Sequence, residues 1–535
     1  MVQQWQAAIR MIARARQLTK KAITSLQALA PVGLAALTAT TTFAAAGDID
    51  LSLSASTGGK LFARLAGTGG YSNGTVLAVQ SDGVATLYIV AGACNDGTNG
   101  LQACVAQYQS NGFGTSLSAA NFGAAGVARV LSGWLDVQVR ALVIDGARRI
   151  IVAGSCRSTT APNYYQFCLT RLTGSGTIDT TYGTGGIVTT DFATTTWDQI
   201  EAATLQPDGK LVVAGGCHYG DPVTSQDGGI CLARYLDNGS LDTTFDGDGK
   251  VLTNPNVGRL DTANAVHVLS DGKLLVSGTC NDGSAAKACI ARYLDDGTSD
   301  SGFGTGGVVH LSVGGSTGSG DSTLQPDGKL LLSVGCTAGL CTLRMLADGS
   351  VDTEYGAGGL ATIPMTGNRS ARRVRLQPDG KAIIAGWCDK GVTNIDFCVA
   401  RLHDSGQLDT SFGTGGQTSV SFASGSWQDY LHAIAITRDG KILLSGNCED
   451  GAAAQYEACM VRLDGGSSAA RTCNLDLNFD GNTDAHGDAL ILARVLLGMT
   501  GPAVLAGTPG VVSPSAQWIA LRDRLFYRCG LPVSP

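Results

Sequence analysis

Residues 205–217 read LQPDGKLVVAGGC, and residues 231–250 read CLARYLDNGSLDTTFDGDGK, with a variable loop between them. Close versions recur along most of the chain at a period of about sixty residues, so the architecture is a repeat architecture before any single residue is weighed. Within this unit the pattern predicts a first strand over 199–205 and a turn at Pro207-Asp208-Gly209. A second strand over 210–215, a third over 230–236 and a fourth over 250–253 follow. Pro at the second and Gly at the fourth position of Gln-Pro-Asp-Gly fit a type I turn between antiparallel strands. Four short antiparallel strands per unit are the pattern of a β-propeller blade.

The Asp-Gly turn occurs seven times, at Asp82, Asp145, Asp208, Asp271, Asp327, Asp379 and Asp439, each time followed by a pair of cysteines. A coda of the LDTTFDGDG kind follows the first six pairs, degenerate in the first, where it reads ANFGAAG. After the seventh pair Arg462-Leu463-Asp464 runs straight into GGSSAA. The missing coda and fourth strand stand at the other end of the chain, in GDIDLSLSASTGGKLFARL, residues 47–65. The expectation is an all-β, seven-bladed propeller in which this N-terminal strand completes the last blade. A solenoid would give no reason for the split repeat.

Fourteen of the sixteen cysteines fall in that repeated place. The pairs are Cys94 with Cys104, Cys156 with Cys168, Cys217 with Cys231, Cys280 with Cys289, Cys336 with Cys341, Cys388 with Cys398, and Cys448 with Cys459. The first cysteine of each pair ends one strand of a hairpin and the second starts the next. The expectation is that the two lie opposite each other, within the Cα reach that a disulfide needs. A metal reading requires histidine or further cysteine nearby, and most of the loops have none (His218 is an isolated case). Closing loops this short contributes under about 3 kcal/mol each, enough to pin hairpins against fraying. Disulfides in this number imply an oxidising compartment: periplasm, cell surface or medium.

The order of elements, LQPDGK, then VAGxC, CxAR and GxLDxxFGxxG, is similar to that of the delta-60 repeat family of secreted and surface bacterial proteins. The resemblance spans about residues 47–465. It implies a propeller and brings no activity with it, because that family is defined by its repeats.

Composition agrees with short strands and tight turns: 74 of 535 residues are Gly, aromatics are 6% and charged residues 15%. Residues 1–46 combine Arg10, Arg14, Arg16, Lys20 and Lys21 with an apolar stretch from about Ala22 to Phe43 and the run Ala44-Ala45-Ala46. That is the pattern of a cleaved export signal. Gln27 and Pro31 interrupt it as a membrane span, and no other stretch offers one. The net charge of −7 becomes more negative once those five positive charges leave. An acidic, Gly-rich surface is a poor partner for nucleic acid or anionic membrane.

Several charged residues recur in register. Arg171, Arg234, Arg292, Arg344, Arg401 and Arg462 follow the second cysteine of their blades, with Gln107 in that place in the first. Asp136, Asp198, Asp261, Asp321 and Asp429 precede the first strand, and Asp179, Asp242, Asp352 and Asp409 open the coda. A residue present once per blade serves each blade, so the expectation is structural pairing and not a ring of functional charge. Trp134, Trp197 and Trp427 stand near the start of the first strand in three blades, a position that favours covering the blade edge over stacking on sugars. His218, His267, His310, His403, His432 and His486 lie at unlike repeat positions, and no linear catalytic motif is present.

Beyond a linker over 466–472, the segment 473–535 differs in kind. Asp476, Asn478 and Asp480 stand at positions 1, 3 and 5 of a calcium loop, with Gly481 at position 6, Asn482 at 7 and Asp484 at 9. Asp488 closes it at position 13, because Gly487 occupies position 12. Apolar residues at helical spacing follow, including Leu490, Ala493 and Leu497. The segment resembles one half of a dockerin domain, which implies one Ca2+ held by an EF-hand-like loop ahead of a helix. It departs from that family in lacking a second calcium loop. Cys473 and Cys529 would staple this small unit. The sequence thus points to an exported, monomeric, non-catalytic binding or display module, its partner a protein or polysaccharide. The alternative is a carbohydrate-active hydrolase or lyase with its site at the channel mouth.

Overall fold

The computed structural model describes most of residues 45–466, apart from short loop segments, together with Ile491, Arg494, Val504, Leu505 and Leu521. The calcium-loop residues, Cys473, Cys529, Trp427 and the body of the export signal lie outside the described residues. So does most of the tail over 473–535, within which Arg494 donates an Nη hydrogen bond to the Val504 carbonyl at 2.8 Å.

Seven antiparallel sheets form seven blades. In blade 3 the strands run Thr196–Leu205, Leu211–Tyr219, Gly228–Tyr235 and Lys250–Thr253, in chain order from the inside outward. The Gln-Pro-Asp-Gly turn closes as expected: the Gly209 N–H donates to the Gln206 carbonyl at 2.9 Å, with Gly209 at φ +89°. All eight residues of Gly228–Tyr235 are buried. Successive side chains of a strand point to opposite faces, so a continuous apolar run requires both faces to be covered. Neighbouring blades cover them. Val213 and Leu211 pack in one cluster with Ile151, Ala153 and Leu169 of blade 2, whereas Val212 and Ala214 pack with Leu274 and Val276 of blade 4.

Seven such clusters link the blades in sequence, and the seventh joins Tyr88 and Val90 of blade 1 to Leu443, Ala458 and Met460 of blade 7. That cluster closes the ring. Its hydrogen-bonded counterpart is the split blade: Lys60–Phe62 is the outermost strand of blade 7, with Lys60 opposite Val461 and Phe62 opposite Cys459. Ahead of it the Gly47 N–H donates to the Asp464 carbonyl at 2.7 Å and the Asp50 N–H to that of Arg462 at 2.8 Å. The N-terminal segment does complete the last blade.

Two features differ from expectation. Blade 1 carries five strands, because both Thr115–Leu117 and Val127–Val130 pair with Leu101–Ser110. In this blade Gln107 stands in the place of the repeat Arg, and the coda ANFGAAG has no Asp.

The second difference concerns the cysteines, which stand diagonally across each hairpin and not directly opposite. Cys217 faces Gly229 and Cys231 faces Gly215. The second cysteine of the other pairs is offset in the same way: Cys104 faces Gly92, Cys168 faces Gly154, Cys289 faces Gly278, Cys398 faces Gly386 and Cys459 faces Gly446. Cys341 faces Val334, two residues ahead of its partner Cys336. Diagonal positions two residues apart share one face of the sheet, and strand twist draws one of the two diagonals together. All seven repeat pairs are disulfide-bonded, at Cα separations of 5.7 to 6.1 Å: Cys94 to Cys104, Cys156 to Cys168, Cys217 to Cys231, Cys280 to Cys289, Cys336 to Cys341, Cys388 to Cys398 and Cys448 to Cys459.

Candidate channel site

The polar residues fall into two groups, those that repeat and those that do not. The repeating arginines form a latch. In blade 3 the buried Arg234 donates from Nε to Asp242 Oδ2 at 2.8 Å, lies over the Phe245 ring at 4.5 Å, and donates from Nη1 to the Asp295 carbonyl in the turn of blade 4. The same couple holds Arg171 to Asp179, Arg292 to Asp300, Arg344 to Asp352 and Arg401 to Asp409, each at 2.8 Å. Each guanidinium covers the coda aromatic of its blade and reaches backbone beyond its own blade. Asp300 and Asp50 belong to this set, although their codas are too altered to show it in sequence. The recurrence is structural, as the repeat argument expects.

Of the acids placed ahead of the first strand, Asp198, Asp261 and Asp429 are buried and accept backbone N–H bonds from Phe192, Asn281 and Phe422. Asp136 accepts from the Tyr165 hydroxyl. Asp321 does not belong with them. It stands just after the bulge of its strand, Ser319–Leu324, and lines the central channel, whereas Asp198, also inside its strand, stands before the bulge of Thr196–Leu205. Trp134 packs on the core between blades 1 and 2, and Trp197 stacks on Tyr165 with centroids 5.0 Å apart, so both cover the blade edge.

The seven innermost strands are Tyr71–Ser81, Asp136–Ile144, Thr196–Leu205, Thr262–Val268, Ser319–Leu324, Arg369–Leu376 and Tyr430–Ile436. Every one carries a register shift against its neighbour. In blade 3 Ile200 faces Gly215 and Ala202 faces Ala214, which leaves Glu201 as the extra residue. A bulge bends the strand and re-aims side chains. By register the extra residues are Thr75, Arg140, Glu201, Asn264, Gly320, Arg372 and His432. The next position along is Val76, Ala141, Ala202, Ala265 and Ala433 in five blades, but Asp321 and Arg373 in blades 5 and 6.

These strands enclose a cavity of about 240 Å³ to which all seven blades contribute. Its charged lining is Arg140, Glu201, Asp321, Arg373 and Arg375, no two of them equivalent acids in adjacent blades. Arg375 Nη1 meets Asp321 Oδ2 at 2.6 Å, and Arg140 Nε stands 3.8 Å from Glu201 Oε1. Asn264 Nδ2 donates to the Ser319 carbonyl at 2.6 Å. His267 Nε2 and Ser322 Oγ are hydrogen-bonded at 2.7 Å, and Ser322 Oγ is bonded in turn to Ser277 Oγ at 2.7 Å. Burial pushes His267 down to about 4, against the pull of Asp321, and pushes His432 down to about 4 with help from Arg373 and Arg140. Both imidazoles are therefore neutral at neutral pH.

Ser322 is 1% exposed and shared with a second serine, so it presents no nucleophile to a ligand, and a histidine titrating near 4 is a weak base. Glu201 and Asp321 each face an arginine, so neither stands free over the cavity. Among the described residues there is no group of three metal-ligating side chains, and no helix long and apolar enough to cross a membrane. Arg140, Glu201, Arg373 and Arg375 were not singled out by the sequence reading. The signal that finds Arg140, Glu201 and Arg373 is departure from the repeat at the bulge register, and Arg375 lies two residues further along the same strand.

Segments 206–245, 269–303 and 377–412 match the family described as "Domain of unknown function (DUF5122) beta-propeller". The chain is a seven-bladed repeat propeller. Each matched segment runs from an Asp-Gly turn to a coda aromatic, and none includes a residue of the channel lining. The match therefore covers the latch and not the site. No curated protein sequence matches the chain. Among solved structures, the polysaccharide lyase Uly1 is similar at 13% identity and TM-score 0.39, over 73% of this chain and 90% of its own. A protein of unknown function from Dyadobacter fermentans is similar at 11% and 0.38, over 61% and 94%. Trypanosoma rangeli sialidase is similar at 14% and 0.35, over 64% and 56%. Likeness of this order carries no argument about chemistry.

Proposed function

We propose that the chain is an exported, non-catalytic binding module of the cell surface, periplasm or medium, and that its ligand site is the central channel. One observation carries this reading: the only polar inner-strand set that the repeats do not explain, among the described residues, converges on one cavity. Groups that fold maintenance requires recur in every blade, whereas a site needs each group once. The test is a thermal-shift screen of sugars, amino acids and short peptides, repeated with Arg140→Gln and Asn264→Ala. Ligands whose stabilisation is lost in both variants support the channel. Retained stabilisation moves the site to the outer loops, and new products in the incubated ligand, seen by chromatography, replace binding with hydrolase or lyase chemistry.

In the same reading the tail over 473–535 is a calcium-stabilised appendage that displays the propeller or docks it to a protein partner. Asp476, Asn478, Asp480, Asn482, Asp484 and Asp488 would supply the oxygen ligands, with Cys473 and Cys529 bonded to each other. Calorimetric titration of the mature chain with Ca2+, against an Asp476→Ala/Asp480→Ala variant, tests it. Binding at one site that the variant abolishes supports the tail, and equal heats in both remove the metal.

A further inference from the structure

We propose that the channel cavity binds one carboxylate group of a small organic ligand, with the Arg373 guanidinium as its anchor. This inference rests on the reading of the channel as a ligand site and names what that site takes.

Arg373 is the cavity's uncompensated charge. Its Nε donates to the His432 carbonyl at 2.6 Å and its Nη1 to the Arg372 carbonyl at 3.4 Å, both backbone acceptors. Among the described residues no carboxylate comes within ion-pair distance of it, whereas Arg375 has Asp321 and Arg140 has Glu201. A half-buried guanidinium without a counter-charge is costly unless something completes its environment. Burial holds Arg373 below the usual arginine range. Asp321 and Glu201 pull it back up, while Arg375 and Arg372 press it down. A bound anion relieves that cost.

The fold does not ask for this charge. Arg373 occupies the position that is Ala141, Ala202, Ala265 and Ala433 in other blades, so four blades show that alanine satisfies the same backbone geometry. Beyond its hydrogen bond to the His432 carbonyl of the next blade, Arg373 brings to the cavity a charge that four alanines show the backbone does not need.

Charge and size select the ligand. The cavity lining carries three guanidiniums against two carboxylates, with its histidine neutral, which leaves room for one negative charge. Glu201 and Asp321 repel a dianion such as phosphate more than a monoanion. The planar guanidinium fork also matches a carboxylate in two-point geometry. At about 240 Å³ the space suits a molecule of one ring or less, being smaller than the usual drug-sized pocket.

The test is calorimetric titration of the mature chain at neutral pH and low salt with acetate, lactate and glucuronate. Glucose serves as the neutral counterpart of glucuronate, and inorganic phosphate, partly dianionic at this pH, as the more highly charged anion. The expected result is binding by at least one carboxylate, with glucose weaker than glucuronate by about tenfold or more. Arg373→Ala, with its fold checked by circular dichroism, weakens the carboxylate by about tenfold or more, and Arg373→Lys restores part of the loss. Should Arg373→Ala fail to fold, Arg140→Gln on the half-exposed rim is expected to weaken the same ligand several-fold. Equal, channel-dependent binding of glucose and glucuronate overturns the carboxylate assignment and leaves the channel as the site. Binding of phosphate alone, or of none of the three carboxylates at tens-of-millimolar concentration, overturns it too. Binding indifferent to every channel substitution overturns both readings.

Discussion

Arg462 and Asp50 stand 412 residues apart in sequence, and the arginine Nε donates to the aspartate Oδ2 at 2.9 Å. The couple is the one that blades 2 to 6 make internally between residues eight apart, as in Arg234 and Asp242. In blade 7 the acid comes from the N-terminal segment and also holds Lys441, so the closure is an ion-pair network as well as a strand pairing. Breaking a buried pair by removing one partner costs about 3–5 kcal/mol. Asp50→Ala is therefore expected to lower stability by about that amount in guanidinium unfolding. Because blade 7 closes the ring, proteolysis should begin in that variant near residues 45–65. A loss below about 1 kcal/mol would show that strand pairing alone closes the ring.

The latch aspartates make the protein acid-sensitive in a defined window. Burial alone would raise Asp242, but the Thr244 hydrogen bonds, Lys210 and Arg234 overcome it and hold the carboxyl down to about 2. Asp179, Asp300, Asp352 and Asp409 are shifted the same way. Depressed carboxyls contribute stability that is fully present above their unfolded value near 4 and is lost as pH falls towards 2. Urea midpoints should fall over that range, and Asp242→Asn should flatten the fall while lowering stability at neutral pH.

Asp429 works in the opposite direction. Burial raises it to about 7, aided by Asp396, against the Phe422 N–H bond and Lys60. A carboxyl raised on folding contributes stability present below its unfolded value near 4, and that contribution is lost as pH rises to about 7. Asp429→Asn keeps an oxygen for the Phe422 N–H and removes the titration. Its stability relative to the parent chain should therefore improve between pH 4 and 7, read from thermal midpoints across that range. A constant difference would show that Asp429 does not titrate there.

Blades and disulfides were legible because each is stated several times: a turn and a cysteine pair in one order seven times over, six of them followed by an arginine, leave few alternatives. The split coda told which end closes the ring. The channel was not legible for the converse reason. Its residues occur once each, and their inward direction depends on a bulge that no residue type announces. Asp321 shows how this misleads. Counted as an acid ahead of an apolar run it resembles Asp198, yet Asp198 stands three residues before the bulge at Glu201 and Asp321 one residue after the bulge at Gly320. In six blades a glycine two residues ahead of the first cysteine, such as Gly215, marks where the bulge lies opposite, but in the blade of Asp321 that position is Val334, so the mark is missing where it was needed.

That glycine yields the last prediction. A Cβ on Gly215 would sit 1.8 Å from the Gln199 carbonyl oxygen, the inner strand being drawn close by the bulge at Glu201. The obstacle is backbone, so no side-chain rotation relieves it, and overpacking of this kind costs about 1–3 kcal/mol or more. Gly185 is the control: at φ +63° with nothing within 4 Å of its would-be Cβ, its alanine variant meets only the left-handed conformational penalty, about 1–2 kcal/mol. Gly215→Ala is expected to destabilise the protein more than Gly185→Ala in equilibrium unfolding. It should also move Glu201 and thereby weaken whatever binds the channel, which Gly185→Ala leaves unchanged. Equal destabilisation with unchanged channel binding would mean that the bulge does not depend on the glycine facing it.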